Sequence, residues 1–319
     1  MTPAVTARVA VVQLTPATNT DAAIERIRDA CARASEAGAQ LLVFPEAYIG
    51  GYPRGSGFGA IVGSRTDAGR DAFARYAEQS ITVPGPAVEA LAAIARQYGQ
   101  YLVVGVVERD GATLYCSVLF FSADGVFLGK HRKVMPTASE RLIWGFGNGS
   151  TMPVFDTPLG KLGAVICWEN YMPLLRAAHY AKGIQLYCAP TADSRDTWLP
   201  TMRHIAVEGR CFVLSANLVA HRRDYPDADT ATDGAPDDLV CRGGSCIVDP
   251  FGTVLAGPAF DSEALLIADI AIHDTVRGKF DLDVAGHYAR PDVFQLTVNE
   301  ADTPAVRFVN APPTSPVVP

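Results

Sequence analysis

The chain has 319 residues, of which 49% are hydrophobic and 19% charged, and a formal net charge of −7 at pH 7. That apolar content excludes intrinsic disorder over most of the length, and the acidic balance argues against a nucleic-acid surface. No apolar run reaches the roughly 18 residues of a membrane span. The segment Met1-Thr2-Pro3-Ala4-Val5-Thr6-Ala7-Arg8 lacks the basic start and apolar run of a signal peptide, so a soluble, cytoplasmic protein is expected.

In chain order, short apolar runs alternate with amphipathic segments. Arg8 to Gln13 reads as a buried strand. A helix capped at Thr20 or Asp21 follows to about Ala37, and Gly38 ends it. Leu41 to Phe44 is the next strand, closing a β-α-β unit. Pro84-Gly85-Pro86 introduces a helix from about Val88 to Tyr98, and Tyr101 to Glu108 returns as a strand. Leu114 to Phe121 and Val126 to Lys130, split by Ser122-Ala123-Asp124-Gly125, read as a hairpin. Lys161 to Cys167 is a strand and Pro173 to Lys182 a helix. Ile184 to Ala189, Phe212 to Asn217, Ser245 to Asp249 and Leu265 to Ile270 continue as strands.

This mixture of β-α-β units and hairpins implies an α/β fold with helices covering sheets of parallel and antiparallel neighbours. No linker-like shift in composition divides the first 290 residues, which favours one domain; residues 301–319, with five prolines, read as a disordered tail. Arg222 to Asp238 carries six Asp residues and reads as an exposed, solvated acidic loop.

The seven cysteines, at 31, 116, 167, 188, 211, 241 and 246, show no repeating spacing. No disulfide framework is expected, and Cys241 and Cys246 lack the partners of a tetrahedral zinc site. Cys31, Cys116, Cys188 and Cys211 lie in apolar or helical surroundings and read as small buried hydrophobes. Cys167 differs because it ends a strand. So does Glu46, after Leu41 to Phe44, while the hairpin's second strand runs into Gly129-Lys130-His131-Arg132-Lys133, which holds two of the chain's five lysines. Ligands gather outside strand ends, and a thiol, a carboxylate and an amine brought together there form a nucleophilic site. The carboxylate takes the thiol proton, the thiolate attacks, and the ammonium steadies the developing negative charge.

Phe44-Pro45-Glu46-Ala47, Gly129 to Thr137 and Ile166-Cys167-Trp168-Glu169-Asn170-Tyr171 resemble the three signature blocks of the nitrilase superfamily of carbon-nitrogen hydrolases. Gly50-Gly51-Tyr52-Pro53-Arg54-Gly55, Glu140 to Gly145, Met172 to Arg176, Tyr187 to Thr191 and His287 to Asp292 resemble its branch of true nitrilases. The resemblance spans roughly residues 7–295. It implies a four-layer α-β-β-α sandwich with mixed sheets in a single domain, residues 1–295, followed by a proline-rich tail, 296–319. It also implies Cys167 as nucleophile, Glu46 as general base, Lys133 as the cation that stabilises tetrahedral intermediates, and Glu140 as a second glutamate beside the lysine and the attacking water. Tyr52 and Trp168 are candidates to line the substrate pocket. No cofactor and no metal are implied.

The implied reaction is hydrolysis of a nitrile to a carboxylic acid and ammonia through a thioimidate and a thioester. An amidase, a carbamoylase or a cyanide-hydrolysing member of the superfamily is the alternative. A homo-oligomer is implied as well, dimers able to stack into spirals, with Pro173 to Lys182 and the acidic loop as contact surfaces. His131 and Arg132 read as orienting residues and His204 as a satisfied structural histidine. Gly55-x-Gly57-x-x-Ala60 and Gly145-x-Gly147-x-Gly149 join no strand to a helix, so they speak weakly for a nucleotide cofactor and read as flexible loops bordering a pocket.

Overall fold

The computed structural model describes residues 6–225, 234–304 and 306. In chain order the elements are β1 (Thr6–Gln13), α1 (Thr20–Glu36), β2 (Leu41–Val43), α2 (Asp67–Gln79), α3 (Pro86–Tyr98), β3 (Tyr101–Asp110), β4 (Thr113–Phe121) and β5 (Phe127–Arg132). There follow β6 (Val154–Thr157), β7 (Gly160–Ala164), α4 (Pro173–Ala181), β8 (Leu186–Cys188), α5 (Trp198–Gly209) and β9 (Phe212–Ser215). The last are β10 (Val219–His221), β11 (Leu239–Val248), β12 (Val254–Phe260), β13 (Ala264–Ala271) and α6 (His273–Asp281).

The strands form two sheets. One runs β13-β1-β2-β3-β4-β5; the other runs β10-β11-β9-β8-β7-β6, with β12 paired to β11. Each has a parallel centre, β1-β2-β3 and β7-β8-β9, flanked by antiparallel neighbours. The short parallel strands are buried on both faces, which is why they read as continuous apolar runs. Strand alternation divides their side chains between layers. Val9, Val11, Leu41 and Val43 meet Leu162, Leu186, Phe212 and Leu214 between the sheets. Ala10, Val12 and Leu42 face Ile24 and Ile27 of α1 and Leu91 and Ile94 of α3. On the far side, Tyr187 and Val213 pack against Leu175 of α4 and Trp198, Met202 and Ile205 of α5. The result is the four-layer α-β-β-α sandwich.

Local signals set most boundaries. Asn19, one residue before the expected cap, accepts from Ala22 N and starts α1, and Gly99 ends α3 in the left-handed conformation. The strand expected over Lys161 to Cys167 stops at Ala164, because Cys167 turns into a short 3-10 helix, Cys167–Tyr171. The α2, α5 and α6 helices and the strands β6, β10 and β12 lie outside the expected elements. Of the acidic loop, residues 226–233 lie outside the described residues; residues 234–238 are exposed, and Arg223 pairs with Asp237. Residues 296–304 carry no helix or strand; within them, Glu300 pairs with Lys182 and Thr303 accepts from Asn148. Most of the expected tail, 305 and 307–319, lies outside the described residues. No helix among the described residues is long and apolar enough to cross a membrane.

Candidate active site

The two parallel centres end side by side, and their carboxyl ends deliver the reactive groups. Glu46 follows β2, Cys167 follows β7 and Thr191 follows β8, an arrangement that places a ligand outside the strand ends. The turns are tight. Ala47 and Cys167 both have a φ of 49°, a left-handed backbone that costs a non-glycine residue about 1–2 kcal/mol. Gly105 on β3 makes room for the first turn: a Cβ there would lie 2.1 Å from Pro45 O and 2.8 Å from the Glu46 Cα.

Lys133, just past β5, is fully buried, and its Nζ bridges two carboxylates. It donates to Glu46 Oε1 at 2.7 Å and to Glu140 Oε2 at 2.8 Å, with the Trp144 ring centroid 5.7 Å away. Glu140 sits in a short 3-10 helix, Ala138–Leu142; it also accepts from Thr137 N and, at 2.7 Å, from the Tyr52 hydroxyl. Glu46 Oε1 receives a further contact from Cys116 Sγ at 3.5 Å, while the buried Oε2 has no hydrogen-bond partner among the described residues. Cys116 is therefore more than the packing residue its apolar strand suggests.

Burial is the largest influence on Glu46 and pushes its carboxyl above the ordinary value; Lys133 opposes this and Glu140 adds to it. For Lys133, burial works to lower the ammonium's pKa, but Glu46, Cys167, Cys116 and Glu140 outweigh it, and the value rises. Burial, with Glu46, pushes the Cys167 thiol up, so it rests protonated. The cluster thus holds a protonated lysine, a protonated thiol and a carboxylate with a raised pKa and one free oxygen.

Around this cluster the backbone is pinned. Glu169 accepts from Ile166 N, Val134 N and His131 Nε2, joining the turn of Cys167 to the strand of Lys133. Asn170 Nδ2 donates to Cys167 O at 2.7 Å and Val165 O at 3.0 Å. His131 and Arg132 orient their surroundings as read: His131 binds Glu169, and Arg132 binds Glu108 and Asp110. Gly147 packs against the lysine's strand rather than bordering a flexible pocket: its N–H donates to Lys133 O, and a Cβ there would fall 2.2 Å from Arg132 O. His204 is exposed on α5, with Nε2 3.5 Å from Glu208.

Of the six residues singled out from the sequence, Glu46, Lys133, Glu140 and Cys167 form the cluster, and Tyr52 joins it through Glu140. Trp168, 38% exposed, has its indole N–H bound outside the cluster, donating to Asp193 at 2.9 Å under the Arg195 guanidinium. Sequence reasoning passed over Thr191, whose hydroxyl lies 3.2 Å from Cys167 Sγ, although the Tyr187 to Thr191 block pointed at it. The Tyr52 ring also walls a cavity of about 430 Å³ lined by Gly51, Phe58, Tyr76 and Tyr225, with none of the four cluster residues in its wall. All seven cysteines are free and buried. Among the described residues, no group of His, Cys, Asp and Glu is arranged to hold a metal ion.

The family model for carbon-nitrogen hydrolases matches residues 8–279. A bifunctional nitrilase/nitrile hydratase of Nicotiana tabacum is 58% identical over 298 residues, covering 92% of this chain and 85% of that protein. A nitrilase of Bradyrhizobium diazoefficiens is 58% identical over 280 residues, covering 88% and 87%. Among solved structures, an amidase from Nesterenkonia is 27% identical with a TM-score of 0.66, covering 86% of this chain and 94% of that one. The chain belongs to the carbon-nitrogen hydrolase family, in its nitrilase branch.

Proposed function

We propose that the protein hydrolyses a nitrile to the carboxylic acid and ammonia, with Cys167 as nucleophile. One observation carries the reading: Lys133 Nζ is held between Glu46 and Glu140 beside a buried thiol. Glu46, through its free oxygen, takes the Cys167 proton as sulfur adds to the nitrile carbon. The nitrile nitrogen receives that proton and the product is a thioimidate. Water, deprotonated by a glutamate, adds to the same carbon; Lys133 and the Trp168 backbone N–H stabilise the charge of the tetrahedral intermediate. Nitrogen departs as ammonia and leaves a thioester, and a second water releases the acid and restores the thiol. The sum is one nitrile and two waters giving one acid and one ammonia. Tyr52 fixes Glu140, and Trp168 borders the approach to the nucleophile.

A second outcome has specific support. If the tetrahedral intermediate expels sulfur instead of nitrogen, an amide leaves, and the Nicotiana relative is named for both activities. The proposal extends to a cytoplasmic homo-oligomer, supported by seven buried cysteines, none of them paired, and by Leu174 of α4, 68% exposed. The catalytic unit is proposed to end near residue 295.

The test is ammonia release from arylaceto-, aliphatic and aromatic nitriles and cyanide, with the matching amides as controls. Wild-type enzyme should turn over at least one nitrile, and Cys167→Ala should fall to background while keeping its melting temperature. Efficient cleavage of amides with all nitriles untouched would sink the reading.

A further inference from the structure

We propose that Thr191 is a further catalytic residue, whose hydroxyl donates a hydrogen bond to the Cys167 sulfur and stabilises it as a thiolate; this deepens the nucleophile assignment above. A threonine hydroxyl has one proton and two lone pairs. Thr191 is fully buried, so water serves none of them. Asp193 N donates to Thr191 Oγ1 at 3.0 Å, which takes up one of the lone pairs. The proton is left to point elsewhere, and Cys167 Sγ stands 3.2 Å away.

The position is rigid. Thr191 N donates to Ala216 O and Cys167 N to Pro190 O, so the segment after β8 is stitched to the strand ends on both sides. Arg54 Nη2 holds Ala192 O at 2.9 Å, and Asn217 Nδ2 holds Asp193 O at 2.7 Å. Trp168, adjacent to the nucleophile, ties the Asp193 carboxylate to the same segment. The hydroxyl thus meets the sulfur without reorganisation when charge develops there.

The chemistry follows from charge. A hydrogen bond to an anion is roughly twice as strong as one between neutral groups, so the Thr191 contact favours thiolate over thiol. It opposes the burial that pushes the thiol up. Once sulfur carries an acyl or imidoyl group it is a poor acceptor, and the bond weakens. The stabilisation is therefore greatest on the attacking thiolate and again when sulfur is expelled.

The experiment reads the thiolate without any nitrile, which keeps its failure separate from that of the substrate assignment. Alkylation of Cys167 by iodoacetamide is followed against pH by peptide mass spectrometry in wild type, Thr191→Val and Thr191→Ser. Thr191→Val should alkylate about ten- to a hundredfold more slowly near neutral pH, with the midpoint of the profile moved upward. In turnover, kcat should drop by a similar factor with KM nearly unchanged, and Thr191→Ser should recover most of both losses. Should the valine variant fail to fold, Thr191→Ala makes the same measurement. A folded variant lacking the hydroxyl that alkylates with the wild-type rate and midpoint overturns the proposal; it would leave Thr191 as a brace for Asp193 N.

Discussion

Glu108 and Glu46 both lose their water on folding and both meet cations from the run Gly129 to Lys133, yet their carboxyls move in opposite directions. The run alternates. Lys130 and Arg132 turn to one side and clasp Glu108, which also accepts from Ser117 at 2.9 Å. Burial works against ionisation of Glu108, but the hydrogen bonds from Arg132 and Lys130 outweigh it, and its pKa falls. His131 and Lys133 turn to the other side. There a single ammonium serves both Glu46 and Glu140, one Glu46 oxygen has no hydrogen-bond partner among the described residues, and the pKa rises. A carboxylate given two cations and every hydrogen bond holds structure. One given half a cation and a free oxygen is ready to take a proton.

Glu46→Gln tests the reactive side of that comparison and should show the largest effect. The amide keeps the shape but cannot accept the thiol proton, so kcat should fall by about 10²–10⁴-fold, the range for lost general-base catalysis. Stability should fall only modestly, since the carboxylate that burial disfavours is removed while Lys133 keeps Glu140 and the amide oxygen as acceptors. Nitrile turnover and thermal melting on the same preparation check both halves. Loss of activity accompanied by a large fall in melting temperature would make Glu46 a structural residue like Glu108.

The opposite signature is expected of Glu108→Gln. Lys130 and Arg132 would each lose a charged acceptor, costing about 1–3 kcal/mol of stability, with kcat close to wild type. Both cations keep some access to water, with side chains 21% and 18% exposed, which limits the loss. Denaturant unfolding alongside turnover measures this. A kcat that falls more steeply than stability would mean that the clasp sets the position of Lys133, and the two sides of the strand would no longer be separable.

How far the sequence revealed this arrangement depends on how far apart its parts lie in the chain. The strand-end placement of Glu46 and Cys167 was legible, because apolar runs buried on both faces stop where a polar residue appears. The motif blocks brought in Lys133, Glu140 and Tyr52. Their mutual geometry was not legible: the Tyr52 hydroxyl reaches Glu140 across 88 residues, and Cys116 reaches Glu46 across 70. Thr191 lies 24 residues from Cys167 and meets it only because β7 and β8 pair in parallel register. The helices that went unread share a weak signal. Within α2 only Gly69 is buried, and Phe73, Tyr76 and Ala77 pack against the core while only partly buried; within α6 only Thr275 and Gly278 are buried, and Val276 and Phe280 stand exposed. The α5 helix carries Pro200 in its first turn, where proline is tolerated in the structure but reads as a break in the sequence.

The smallest expected effect concerns the remaining member of the run, His131, and it is a pH dependence of stability. Glu169 is held below its ordinary value: burial opposes ionisation, but His131 and the backbone N–H groups of Ile166 and Val134 prevail. For His131, burial favours the neutral ring, but Glu169 outweighs it, and the pKa rises above 6.5. The Glu169 contribution is in place above about 4.5, its unfolded value, and is lost as the pH falls through the lower folded one. The His131 contribution is complete below about 6.5 and is lost as the pH rises through the folded value. The pair therefore supports the fold fully between about 4.5 and 6.5 and less as the solution becomes alkaline. A single proton limits the slope to about 1.4 kcal/mol per pH unit. In His131→Gln that decline should flatten when denaturant midpoints are compared across pH 6 to 9 (roughly the window above the unfolded histidine value). An unchanged slope in the variant would mean that the ring is neutral throughout, and Glu169 would then join the turn of Cys167 to the strand of Lys133 through its backbone hydrogen bonds alone.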